Sequence, residues 1–185
     1  MLKKIFLLSV FLSLVILAEA QTSKQELYIK RYKKIAISEM ERAGVPASIK
    51  LAQGILESNS GKSTLARKAN NHFGMKCGSV WSGKEYYKED DDYDENGKLI
   101  KSCFRVYSNA DECYIAHSNF LSDPRKRYRY GFLFDLDIKD YVAWARGLKT
   151  AGYATNPAYA DKLIGVIESY NLDQYDNMSS ENAGG

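Results

Sequence analysis

The chain has 185 residues, with 26 Lys and Arg against 23 Asp and Glu, a formal net charge of +3. That balance is too small to argue for a nucleic-acid partner, and the length suits one domain with a sizeable core. Tyrosine is common, with 14 residues. Aromatic faces suit sugar rings, and they equally suit core positions with a hydroxyl at the rim.

Residues 1–20 carry a Lys3-Lys4 start, an apolar run from Ile5 to Ala18 and a closing Ala18-Glu19-Ala20. This reads as a cleavable secretory signal, with cleavage after Ala20. The run is short for a membrane span, and no cysteine follows it to carry a lipid. The expectation is a periplasmic or secreted protein with no stable membrane association.

From Gln25 to Ala43 the residues Tyr28, Tyr32, Ile35, Ala36, Met40 and Ala43 share one helical face, which predicts an amphipathic helix. Gly44 ends it, and Pro46 occupies a favoured first position of the next helix. There Ile49, Ala52 and Leu56 recur at helical spacing beside Leu51 and Ile55, until Ser58-Asn59-Ser60-Gly61 stops the run. Glu57 falls in the last turn next to large apolar residues. The negative end of the helix dipole and loss of hydration both disfavour its ionised form there, and a raised pKa is what a general acid needs. A solvated glutamate at a helix end has the same spacing, so spacing alone does not separate the two. A short helix from Ser63 to Ala69 then leads to Asn70-Asn71-His72-Phe73-Gly74, whose asparagines suit helix capping.

Between Gly78 and Tyr107 the pattern turns to short β-prone pieces, with Asn96-Gly97 as a hairpin signal. The acidic run Glu89-Asp90-Asp91-Asp92 lies among them and has the composition of a solvated segment. It lacks the glycine and final glutamate of an EF-hand calcium loop. Cys77 precedes the β segment and Cys103 stands at its end, so a disulfide between them would close the excursion at its neck. Cys113 is the odd cysteine, expected as a buried thiol, and no ligand spacing points to zinc.

Ser108 and Asp111 suggest a capping box for a helix that contains Cys113 and His117. With no serine or cysteine motif to activate, His117 reads as a structural residue. The basic and aromatic stretch Arg125 to Tyr130 is expected as a solvated loop, with contact to an anionic polymer as the alternative. Asp137 and Asp140 open a helix bearing Tyr141, Trp144, Ala145 and Leu148, closed by Gly152. Asn156 and Pro157 start the last helix, with Leu163, Ile167 and Tyr170 inward, and residues 173–185 read as a disordered polar tail.

The segments ILESNSGKSTLARKANNHFGMK, CFRVYSNADE and FLFDLDIKDYVAWARGLKTAGYATNPAYADKL, in that order, resemble the peptidoglycan-cutting endo-β-N-acetylglucosaminidases of glycoside hydrolase family 73. The resemblance runs from about Ile29 to Tyr170. It implies an α+β, mainly α fold over residues 21–172, with a lysozyme-like helical body and a small β-hairpin lobe. It also implies that Glu57 is the catalytic acid, that Asn71 and Phe73 shape the groove beside it, and that Tyr153 and Tyr159 line the sugar-binding groove. Family members often bring a second carboxylate from the β lobe, for which Asp90, Asp91 and Asp92 are the candidates. Alternation along a strand puts Asp90 and Asp92 on one face, and Asp92 is favoured.

The expected substrate is the glycan strand of peptidoglycan, cut after N-acetylglucosamine by a monomer with no metal or organic cofactor. Two rivals keep the same fold. One is a non-catalytic glycan-binding or adhesive protein, and the other a muramidase or lytic transglycosylase.

Overall fold

The structure is a computed structural model. It describes residues 22–93 and 95–182, and of residues 91–93 it describes the backbone alone. The signal-like segment Met1–Ala20 lies outside the described residues.

Helix α1 spans Lys24–Ala43 and starts on a capping box: the Ser23 hydroxyl accepts from the Glu26 amide at 3.1 Å, and the Glu26 carboxylate accepts from the Ser23 amide at 2.6 Å. Both bonds satisfy amides that have no partner within the helix. Gly44 ends it in the left-handed conformation, φ 71°. Pro46 is the cap residue of α2, Ala47–Ser58, rather than its first helical residue. Helix α2 is buried on nearly every side from Ala47 to Ile55, which makes it the axis of the body. Gly54 is required on it, because a Cβ there would lie 2.9 Å from the Tyr114 hydroxyl oxygen. Helix α3, Thr64–Ala69, follows with Ser63 as its side-chain cap.

The β lobe is one antiparallel hairpin, β1 Glu85–Tyr93 and β2 Leu99–Arg105. Its register pairs Tyr86 with Phe104 and Tyr87 with Cys103, then shifts between Glu89 and Tyr93. The Cys77–Cys103 disulfide closes the neck of the lobe, with Cα atoms 5.5 Å apart. Backbone bonds from Cys77 N–H to Cys103 O and from Arg105 N–H to Met75 O, both 2.9 Å, reinforce that neck. A small core of Leu65, Ala69 and Phe104 packs the lobe against α3.

Helix α4, Ala110–Leu121, begins one residue later than the expected box: Asn109 is the cap and accepts from the Glu112 amide at 2.9 Å. Glu112 in turn accepts from the Ser108 amide at 2.9 Å. Cys113 is fully buried and free. The basic stretch is not a loop: a 3-10 turn, Pro124–Lys126, runs into the short helix α5, Arg127–Tyr130. Alternate aromatics explain the change, since Tyr130 is in the core while Tyr128 is 89% exposed. Helix α6, Tyr141–Thr150, is capped by Asp140, and α7 covers Tyr159–Ser169.

The expected disordered tail begins instead as a 3-10 helix, Leu172–Asn177. Leu172 is buried, and the Asp176 carboxylate accepts from the Ser48 amide at 2.8 Å and the Ser48 hydroxyl at 2.5 Å. A carboxylate at the start of α2 satisfies a helical amide that has no other partner and meets the positive end of the dipole. Among the described residues no helix is long and apolar enough to cross a membrane.

Candidate active site

The end of α2 opens into a groove of about 950 Å³ between the helical body and the β lobe. Glu57 projects into it from the last turn of α2, just before Asn59 turns the chain left-handed and donates to Ile55 O. The residue is exposed and lines the groove. Loss of hydration raises the Glu57 pKa, and a hydrogen bond donated by the Tyr159 hydroxyl, 3.2 Å from Oε1, pulls it partly back. The carboxyl is therefore held toward its protonated form while a donor fixes its orientation.

Tyr159 sits behind Glu57 rather than in the groove wall. It is buried, and its hydroxyl also accepts from Gln53 Nε2 at 2.9 Å, which makes a chain from α2 through α7 back to α2. The Tyr153 ring stacks on the Tyr159 ring at 5.8 Å with planes 21° apart, and Tyr153 itself lines the groove. Its loop is clamped from two sides. The Arg129 guanidinium donates to Ala151 O at 2.6 Å and to Gly152 O, while Lys149 donates to Ala154 O at 3.1 Å and Thr155 O at 3.0 Å. Gly152, with φ 69°, makes the turn that brings these carbonyls together.

Phe73 lines the groove and lies flat on His117, ring centres 4.1 Å apart and planes 12° apart. Asn71 does not line it. Its amide donates to Met75 O and Arg105 O and accepts from Met75 N–H, each at 2.9 Å, so it ties the loop before the β lobe to the lobe itself. Asn71 thus shapes the groove through backbone it holds. Asp90 lines the groove and pairs with Lys76 at 3.3 Å and Lys88 at 3.4 Å. The side chains of Asp91 and Asp92 lie outside the described residues. The register shift between Glu89 and Tyr93 interrupts the pairing where Asp90, Asp91 and Asp92 stand.

Sequence reasoning missed Lys50 and Gln53. Both are fully buried on α2, and Lys50 reaches Tyr114 O, Ser118 Oγ and His117. The signal was present: positions 50, 53 and 57 repeat at helical spacing on an otherwise apolar helix, a polar stripe that ends on the acid.

The chain is similar to the exo-glucosaminidase LytG of Bacillus subtilis, 34% identical over 94% of this chain and 66% of that protein. It is 29% identical to the peptidoglycan hydrolase FlgJ of Vibrio parahaemolyticus, over 80% of this chain and 48% of that protein. It therefore spans less than two thirds of the length of these curated relatives. Among solved structures, the catalytic domain of the autolysin Auto from Listeria monocytogenes superposes with a TM-score of 0.68 at 28% identity, covering 91% of this chain and 97% of that domain. Residues 33–172 match the glucosaminidase family, described as mannosyl-glycoprotein endo-beta-N-acetylglucosaminidase, and the protein belongs to that family.

Proposed function

We propose that this protein is an exported peptidoglycan hydrolase that cuts the β-1,4 bond following N-acetylglucosamine in glycan strands, with Glu57 as general acid. The observation that carries the reading is the position of Glu57: at the mouth of a buried helix, in the groove, with its pKa raised by loss of hydration and its carboxyl oriented by Tyr159. A carboxylic acid so held can protonate the departing glycosidic oxygen as positive charge develops on the sugar ring. Tyr153 gives the groove an aromatic surface for a sugar ring, and the buried Phe73 backs the wall.

Attack on the anomeric carbon needs a partner to Glu57. Either a β-lobe carboxylate, for which we propose Asp92, activates a water, or the acetamido group of the substrate assists. The Lys76 and Lys88 pairing of Asp90 supports leaving that residue in a supporting role. The Met1–Ala20 segment supports export to the compartment where peptidoglycan lies.

Glu57→Gln tests the reading, since it keeps the shape and hydrogen-bonding reach of the side chain but removes the transferable proton. Turnover of purified peptidoglycan is expected to fall by about a hundredfold or more with an unchanged circular dichroism spectrum. Near-normal turnover would sink the mechanism.

A further inference from the structure

A second polar chain lies behind the groove, separate from the one that joins Gln53, Tyr159 and Glu57. Lys50 is fully buried at the centre of α2, a place where an ammonium is costly unless each of its protons finds an acceptor. Three acceptors surround it: Ser118 Oγ at 2.7 Å, Tyr114 O at 3.0 Å and His117 Nδ1 at 3.3 Å. The other nitrogen of that imidazole, Nε2, lies 3.0 Å from the Tyr153 hydroxyl, which has no other hydrogen-bond partner among the described residues. The line therefore runs from the core to a residue of the groove wall without a break.

Donor and acceptor counting fixes its direction. An ammonium at Lys50 has only protons to offer, so His117 Nδ1 must accept, and a neutral imidazole then carries its proton on Nε2. That proton goes to the Tyr153 oxygen, which leaves the phenolic proton free to point into the groove. When Lys50 passes one proton to Nδ1, Nε2 gives its proton to the Tyr153 oxygen and the phenolic proton leaves to groove water, so that Lys50 holds a lone pair and accepts from Nδ1–H. His117 Nε2 then becomes the acceptor, and Tyr153 turns its proton inward. We propose that Lys50 and His117 form a buried relay that sets whether the Tyr153 hydroxyl donates its proton into the groove.

Both are positioning residues, and the inference rests on the proposed glycan-hydrolase reading for its catalytic consequence. A groove oxygen of the sugar or of the attacking water would meet a donor in one state of the relay and an acceptor in the other. Burial favours the uncharged imidazole, since it pushes the His117 pKa well below the usual range, and the Lys50 charge adds to that. Burial also lowers Lys50 to about 7, with Glu39 opposing the shift. The groups that face the relay are Glu39 and Arg42 from α1, Cys113 from α4, Tyr130 from α5, Glu57 from α2 and Tyr159 from α7. Of these, Glu39 supplies the compensating charge. Its own burial raises its pKa, and hydrogen bonds from Arg42 and Ser118 together with the charge of Lys50 outweigh that and bring it down.

The stacking of Phe73 on His117 keeps the imidazole in plane and bars water from that side. A half-turn of the ring would put Cδ2 and Cε1 where Nδ1 and Nε2 stand, losing the contacts to Lys50 and Tyr153 without moving a proton from one nitrogen to the other. A change in which nitrogen carries the proton therefore comes through its two partners, Lys50 and Tyr153.

Nitrogen-15 NMR of the histidine-labelled full chain reads the tautomer directly, and His117→Gln assigns the signals of the two histidines. At about pH 5.5 the His117 proton is expected on Nε2, moving toward Nδ1 by about pH 8.5, and Lys50→Met is expected to abolish that dependence. A proton on Nδ1 at the acidic end, an unchanged tautomer across the range, or the same titration in Lys50→Met would overturn the relay.

Kinetics supply a second arm. His117→Phe is expected to lower kcat by about tenfold or more with little change in KM, and His117→Gln, whose amide still offers a donor to Tyr153, to recover part of the loss. A folded His117→Phe protein with kcat within about twofold of the parent would overturn the catalytic consequence. If His117→Phe does not fold, the tautomer measurement on the unaltered protein decides. A parent protein inactive on peptidoglycan would count against the proposed function and leave the tautomer result standing by itself.

Discussion

Replacing Tyr159 by Phe removes one oxygen atom and breaks two bonds, with separable consequences. The hydroxyl accepts from Gln53 Nε2 at 2.9 Å and donates to Glu57 Oε1 at 3.2 Å. Gln53 is fully buried and its Oε1 already has no hydrogen-bond partner among the described residues. Without Tyr159 its Nε2 is also orphaned, at a cost of about 1–3 kcal/mol. At about 2–4 °C per kcal/mol for a chain of this length, the melting temperature should drop by roughly 2–12 °C.

The second consequence has a definite sign. The Tyr159 donor favours the ionised Glu57 and so lowers its pKa against the larger effect of lost hydration. Its removal lets the pKa rise further. A general acid works only while protonated, so activity is lost as pH climbs through its pKa, and a higher pKa moves that loss to higher pH. The alkaline limb of kcat/KM for peptidoglycan should therefore shift upward in Tyr159→Phe, alongside the drop in melting temperature. A limb that stays in place or moves to lower pH would refute the assignment of that limb to Glu57.

The remaining predictions concern the β lobe. Serine at both Cys77 and Cys103 should cost about 3.5 kcal/mol if the bond acts by closing its loop in the unfolded chain, measured by denaturant unfolding with and without reductant. In the native protein Cys113 should resist alkylation, since it is fully buried and burial pushes its thiol up to about 12; peptide mapping that finds it labelled or disulfide-bonded would contradict this. Asp90→Asn, Asp91→Asn and Asp92→Asn should lose activity unequally, with Asp92→Asn worst, because a general base must reach one particular water. Three equal, mild losses that fade with salt would instead favour assistance by the substrate, as exposed charges are screened beyond roughly 8–10 Å.

The fold was legible in the sequence wherever local rules decide. Gly44 and Pro46 bracket the corner between α1 and α2, the polar cluster after Glu57 stops α2, and Cys77 and Cys103 stand at the two ends of the lobe as their positions suggested. What stayed hidden depends on partners far along the chain. Asp176 looks like part of a polar tail until Ser48, 128 residues away, supplies its two donors. Arg129 looks like one charge in a solvated run until the carbonyls of Ala151 and Gly152 reach it.

The site shows the same division. The end-of-helix position of Glu57 follows from periodicity, whereas the Tyr159 donor comes from a helix 102 residues later. Lys50 reads as a surface residue by type, and only the packing of α4 over α2 shows that it is enclosed. Alternation along β1 meets a register shift between Glu89 and Tyr93, and acidic residues with no apolar face to bury leave register weakly specified.

The central claim, hydrolysis after N-acetylglucosamine by an acid at Glu57, is tested most directly by digesting purified peptidoglycan and identifying the new chain ends by mass spectrometry after borohydride reduction. The account predicts reduced N-acetylglucosamine at the new ends, released about a hundredfold or more slowly by the Glu57→Gln protein. New ends of reduced or anhydro N-acetylmuramic acid, or equal release by Glu57→Gln, would contradict it.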